Sequence, residues 1–447
     1  MTRFFLHTRE FRREDGRTGR IDFIIHISSR LPALPVILKR KDYLLSVFAF
    51  LLTTAVFSQR DSSLFKRVVP DTGKTVMNMD AVYNRPLLQV GKLPATLGGY
   101  VEANTAYFSE DGINEGLSFQ LPRLTLFVSA TIKERIKFLT EIELEEGGRE
   151  INIEFASVDV EFHPLLNLRG GVVMNPIGSF NQNHDGPKWE FISRPISSTT
   201  IIPSTFSNVG FGLFGKYAKK QWVWGYEAYL TNGFDDKIIN NSENRTWFPA
   251  TKANRERFEE SFNGVPLVTL KTAIRHRNIG EIGISWMGGV YNKFKEDGLD
   301  LDKKRRVDFI ALDFNSVLPK VKTYINGEWV WAMVDVPSTF TQQFGNKQRG
   351  GFIDIVQPII KKRMMGWDDA VINFALRGEY ADYNVGKFND TGGNIFDHVM
   401  AIVPAFSFRP SSQTVFRVNY RYEWRRDILG NPASKTAGFQ IGLSTYF

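Results

Sequence analysis

The sequence predicts an all-β fold: a transmembrane antiparallel β-barrel of about 16 strands, with long extracellular loops and short periplasmic turns. Three observations predict it. From Gly98 onward, apolar and polar residues alternate with period two in segments recurring every ten to fifteen residues, and several segments reach the ten or so residues that a tilted membrane strand needs. The links between segments are short after even strands and mostly long after odd ones, which puts the long loops at one end. Outside the N-terminus no stretch of twenty apolar residues exists, while aromatics reach 13% and glycine counts 37 residues, a composition suited to membrane strands with interfacial girdles.

Taken in order, the chain opens on an Arg-rich leader. Lys39-Arg40-Lys41 precedes an apolar run at 43–57, the build of a secretory signal peptide, so residues 1–58 are expected to be leader and signal. They carry ten Lys/Arg against five Asp/Glu; without them 46 basic and 43 acidic residues remain, so the formal +8 is no argument for nucleic acid. Residues 59–97, broken by Pro70, Pro86 and Pro94, are expected to form a short periplasmic segment, and 98–447 the barrel. The absence of cysteine excludes disulfides, thiol nucleophiles and thiolate zinc sites.

The strands are placed near 98–108, 119–130, 134–145, 151–162, 165–174, 208–218, 221–231, 266–276, 280–291, 307–316, 320–334, 351–362, 370–383, 395–409, 412–424 and 436–447. Phe416, Val418, Tyr420, Tyr422 and Trp424 alternating with Arg417, Asn419, Arg421 and Glu423 give the clearest pattern. In the last strand Ala437, Phe439, Ile441 and Leu443 are expected to face lipid, and Gln440, Gly442 and Ser444 the lumen. The long links are 109–118, 146–150, 175–207, 232–265, 292–306, 335–350, 384–394 and 425–435.

Sixteen strands normally enclose water, so inward charges would line a pore. The candidates are Lys271, Arg275, Lys322, Arg377, Arg417 and Arg421, with Glu379 and Glu423, and further acids at Glu102, Glu141, Glu143 and Glu328. Arg417 and Arg421 offer planar donors for an anion. The third long link holds four Pro, a Trp and several Ile and Phe, too apolar for disorder. Folded inward, it would bring His184, Asp185, Lys188, Glu190 and Arg194 to a constriction; folded outward it would be a lid or a subunit contact. His184, Asp185 and Glu190 lack the spacing of a metal site, and neither metal nor cofactor is expected. There is no Gly-x-Ser-x-Gly elbow, His-Glu-x-x-His pair or phosphate-binding Gly-Lys loop, so no enzyme is expected.

The terminal Gln440, Gly442 and Phe447 resemble the assembly signal of bacterial outer-membrane barrel proteins, with Thr445 where a hydrophobic residue is usual. With the strand count and the large third loop, Gly98 to Phe447 resembles the phosphate-selective porin O/P-like group of outer-membrane porins. The resemblance implies passive diffusion of small hydrophilic solutes or ions, the bacterial outer membrane, its lipid and the barrel-assembly machinery as partners, and in many members a homotrimer. An arginine-lysine ladder does not align position by position, so phosphate selectivity is not carried over, and a general or weakly anion-preferring porin is expected. The alternative is a non-conducting barrel for docking or surface attachment, with loop 232–265 and its Trp247 and Phe248 as the contact.

Overall fold

A computed structural model describes residues 65–68 and 76–447; the leader and signal expected at 1–58 lie outside the described residues. A small N-terminal hairpin pairs β1 (Phe65–Val68) with β2 (Leu87–Val90). The barrel begins with β3 (Ala95–Glu110), β4 (Ile113–Ile132), β5 (Ile136–Glu145), β6 (Glu150–His163), β7 (Leu166–Met174), β8 (Ser207–Lys219), β9 (Trp222–Thr231), β10 (Leu267–His276) and β11 (Gly280–Val290). A loop hairpin, β12 (Lys295–Glu296) with β13 (Leu299–Asp300), interrupts the series. The wall resumes with β14 (Arg306–Val317), β15 (Tyr324–Val334), β16 (Lys347–Lys361), β17 (Val371–Asp382), β18 (His398–Ser411), β19 (Thr414–Arg426) and β20 (Ser434–Tyr446). Each wall strand pairs antiparallel with the next, and β20 returns to β3 with Gly442 opposite Asn104 and Tyr446 opposite Tyr100. The result is a closed antiparallel barrel of 16 strands, in which closure removes the sheet edges that hydrocarbon could not solvate.

The period-two pattern fixes the faces. Phe211, Trp224, Leu230, Ile282, Ile353, Phe406, Phe416, Phe439 and Ile441 stand outward and exposed, whereas Glu227, Glu281, Asp354, Ser407, Arg417 and Gln440 point inward. An outward apolar face of this kind suits lipid, and inward polar residues require partners. At the seam the backbone N–H of Phe447 donates to the Gly99 carbonyl at 3.0 Å, and its ring lies where a Cβ at residue 99 would be.

One connection corrects the sequence reading. The expected 109–118 loop is a two-residue turn, Asp111-Gly112, with φ of 47° and 87°. Positive φ at both central residues is the Asp-Gly hairpin turn. Strand β4 therefore runs on past β5: Arg123 is the first β4 residue paired with β5, so Ile113–Gln120 pairs only with β3, which β20 lines up to Glu110.

Candidate functional site

The lumen is the candidate site, and two inserts fill it. Residues 76–86, between β1 and β2, enter from the short-turn end. Met77 and Met79 pack on Val223 and Ala273, and Val82 packs on Leu139, Phe155 and Met174. Residues 175–206, between β7 and β8, cross the interior. The described end of the segment expected to be periplasmic is thus inside the barrel, and the third long loop is folded inward.

Arg85 joins the two inserts to the wall. Its Nε donates to Asp185 Oδ2 at 2.8 Å, its Nη2 to Asp185 Oδ1, and its Nη1 to Glu141 Oε2 on β5 at 2.8 Å. The guanidinium lies 4.1 Å from the centre of the Phe127 ring, a cation–π contact in a dry setting. Tyr446 on the closing strand donates to Asp185 Oδ2 at 2.6 Å, and Lys188 Nζ lies 3.2 Å from the same oxygen. Burial pushes the Asp185 carboxyl up, but the Arg85 guanidinium, helped by Lys188, overrides it and holds the group well below the usual carboxylate range. Lys188 also donates to the Ala81 carbonyl at 3.0 Å, tying one insert to the other.

The wall holds the loop from several sides. On β15, Glu328 accepts the backbone N–H groups of Ser179 and Phe180 at 2.7 and 3.0 Å and the Ser198 hydroxyl at 2.9 Å. On β19, Arg417 Nη1 donates to the Phe191 carbonyl at 2.8 Å while Nη2 donates to Glu102 Oε1 at 3.2 Å. On β17, Arg377 grips Asp354 with two bonds of 2.6 and 2.7 Å and donates to the Ser193 carbonyl at 2.9 Å. On β18, Arg409 Nε donates to Glu190 Oε1 at 2.7 Å. Two glycines permit the fit: a Cβ at Gly186 would strike Glu102, and one at Gly178 would strike Glu328.

The sequence-predicted residues are therefore brought together, but not as a wet pore wall. Lys271, Arg377, Glu379, Arg417 and Arg421 are each 8% exposed or less. Lys271 lies 3.2 Å from Asp313 and bonds the Gly178 carbonyl; Arg421 Nη2 bonds Glu379 at 3.0 Å and Glu423 at 2.8 Å. Arg275, half-buried, lies 3.6 Å from Glu281. Lys322 is off the wall: it sits exposed in the turn before β15 with φ of 56°, because that strand starts only at Tyr324. The basic groups expected to meet anions are already neutralised by acids, which a single-strand reading cannot see. Arg194 lies 3.6 Å from Glu143 and bonds Ser204 at 2.8 Å.

The terminal motif has an inward role as well. Gln440 bonds the Ser193 hydroxyl at 3.0 Å, and a Cβ at Gly442 would press on Ile192 and strike Asn104. Both residues seat the loop. In the 232–265 loop, Phe248 is buried against Phe309 with ring centres 4.8 Å apart, so it offers no outward contact; Trp247 stays half-buried beside Tyr383.

Sequence reasoning missed Arg85, Asp354 and the Arg169–Asp159 pair, whose bonds are 2.8 and 2.9 Å. An Asn-Arg-Pro inside a presumed linker carries no local signal. His184, Asp185 and Glu190 do not form one cluster; Glu190 turns to Arg409, whereas His184 faces Glu141 and Glu143.

No family model matches the chain. An uncharacterized protein of Aquifex aeolicus (strain VF5) is 34% identical over 149 residues, covering 32% of this chain and 33% of that protein, so the match spans about a third of the relative's length. Among solved structures, Salmonella typhi OmpF in complex with daunomycin aligns over 79% of this chain and 97% of its own at 11% identity and a TM-score of 0.50. The anion-selective porin from Comamonas acidovorans aligns over 79% and 99% at 12% identity, with a TM-score of 0.49. At such identities the likeness speaks to the fold. The chain is a closed 16-stranded antiparallel barrel resembling the porins.

Proposed function

We propose that the protein is an outer-membrane diffusion channel of the porin class for small hydrophilic solutes or ions, shut in the form described here. Opening requires residues 76–86 and 175–206 to leave the lumen. One observation carries the reading: inward charges of the wall are paired with one another or with the two inserts and are shielded from water. Selectivity then depends on which pairs are broken on opening rather than on a standing basic ladder. Within the class, the terminal Gln440, Gly442 and Phe447 and the large third loop support placement near the phosphate-selective porin O/P-like group. Its neighbours in this reading are outer-membrane lipid, the barrel-assembly machinery and, in a homotrimer, copies of itself; it performs no catalysis.

Planar-bilayer recording tests this. The folded wild type should be nearly silent at low voltage, and deletion of residues 76–86 combined with Arg417→Ala should give stable conductance. Steady wild-type conductance of open-porin size would overturn the shut state. Silence of the folded variant would favour the second reading, a non-conducting docking barrel. One observation supports that reading: a cleft of about 980 Å³ among the long loops, lined by Trp247, Phe340 and Phe344.

A further inference from the structure

Three side chains in the lumen keep atoms that loop anchoring does not use. His184, Glu141 and Glu143 are each 1% exposed or less, and one ligand atom from each lies within 4.8 Å of the others. The His184 Nδ1 lies 2.9 Å from the Asn181 backbone carbonyl, which can only accept, so Nδ1 carries the ring proton. Nε2 makes no hydrogen bond of ordinary length. Its neighbours are Glu141 Oε1 at 3.5 Å and Asp185 Oδ1 at 3.8 Å, both carboxylate oxygens. Glu141 Oε1 and Glu143 Oε2 also lack hydrogen bonds. Carboxylate oxygens thus face Nε2 in a buried pocket, an arrangement that calls for a positive species between them, either a second ring proton or a metal ion.

We infer that this trio is a binding site for a divalent transition-metal ion of the zinc class, which staples the lumen loop to strand β5. The donor set, one imidazole nitrogen and two carboxylates, is one that zinc accepts. The 3.5 Å between Nε2 and Oε1 is close to the edge of a tetrahedron with metal–ligand bonds of about 2.1 Å, roughly 3.4 Å. A backbone carbonyl holding Nδ1–H is the usual outer partner of a metal-bound histidine, fixing both tautomer and ring plane. The cations nearby take other positions: Arg85 bonds Glu141 through Oε2, and Arg123 lies 2.9 Å from Glu143 Oε1. With Arg194 and Lys188 they make the site weaker than one free of neighbouring cations. The inference does not rest on the channel reading, because the ion binds whether or not the barrel ever conducts.

The test uses the full chain refolded in detergent with excess Zn²⁺, so that burial is no barrier to loading, then desalted and counted for bound metal. Affinity is read by competition with a chromogenic chelator. One zinc per chain is expected. Glu143→Gln, which preserves shape, and His184→Gln should each weaken binding at least about tenfold, while His163→Gln at an exposed site leaves it unchanged. If His184→Gln fails to fold, Glu143→Gln alone decides. A wild type that retains no zinc, or zinc retained equally by Glu143→Gln, overturns the inference.

Discussion

Two regions of one lumen solve the same problem in opposite ways. Beneath the long loops, on the side of β10 to β18, the interior is apolar: Ile177, Ile201, Phe206, Phe234 and Phe248 from the loops pack on Leu267, Met287, Val307, Phe309 and Val330 from the wall. Toward β3, β5 and β17 to β20 it is ionic, built on Arg85, Glu141, Asp185, Arg377, Glu379 and Arg417. The apolar side resembles the core of a soluble domain turned inside a membrane barrel. Its stability depends on volume and tolerates substitutions of similar size. The ionic side depends on completeness, because a buried charge stripped of its partner keeps its full desolvation cost. The first region supplies bulk; the second sets the position of the loop.

The sharpest way to break this comparison is to remove Arg85. Arg85→Ala removes the guanidinium shared by Asp185 and Glu141, and should destabilise the closed barrel by about 3–5 kcal/mol, read from urea unfolding in lipid; a loss below about 1 kcal/mol would mean the ionic side is not an anchor. Phe248→Ala should cost nearly as much, about 3 kcal/mol by cavity formation, yet leave conductance silent. If it opened the barrel as Arg85→Ala does, the two regions would have the same role. Replacing Asp354 and Arg377 together by Leu and Met should change stability by only about 1 kcal/mol, whereas Arg377→Met alone should be severe, so a cycle showing equal effects would refute the completeness argument. The smallest effect belongs to a solvent-exposed pair near a strand end: Lys137→Gln at the 2.6 Å pair with Glu161 should cost less than about 0.5 kcal/mol.

The pH response separates the regions too. The folded-state pKa of Asp185 is depressed, so its contribution is present above the unfolded value and is lost only as pH falls through the folded one. Acidification through about pH 4, where free aspartate titrates, should therefore leave the Arg85–Asp185 lock intact. A cooperative opening centred there that Asp185→Asn abolishes would contradict the assignment.

What was legible in the sequence follows the range of the interactions involved. Strand faces are local, and Phe439, Ile441 and Gln440 pointed as their alternation required. The Ile, Phe and Trp content of the 175–207 link marked it as ordered but left its direction, inward or outward, open. The Asp111-Gly112 turn was missed because the β3–β4 pairing shifts register between Glu102 and Asn104, which breaks the alternation across Leu121 and Pro122. The ionic network was out of reach for a different reason. Arg417 and Glu102 are 315 residues apart and Arg85 and Asp185 are 100 apart, and no periodicity within a window joins them.

The inserts also have a property beyond their shape. Residues 76–86 hold one acid and one base, Asp80 and Arg85, and residues 175–206 hold Asp185 and Glu190 against Lys188 and Arg194. Counting Asp, Glu, Lys and Arg, each insert has zero net charge. An electric field acts on a moving segment in proportion to its charge, about 2.3 kcal/mol per elementary charge per 100 mV, and here that charge is nil. On the proposed channel reading, a potential across the membrane exerts no net pull from these charges on either insert, which leaves displacement to binding events that compete for Arg85, Glu328 or Arg417.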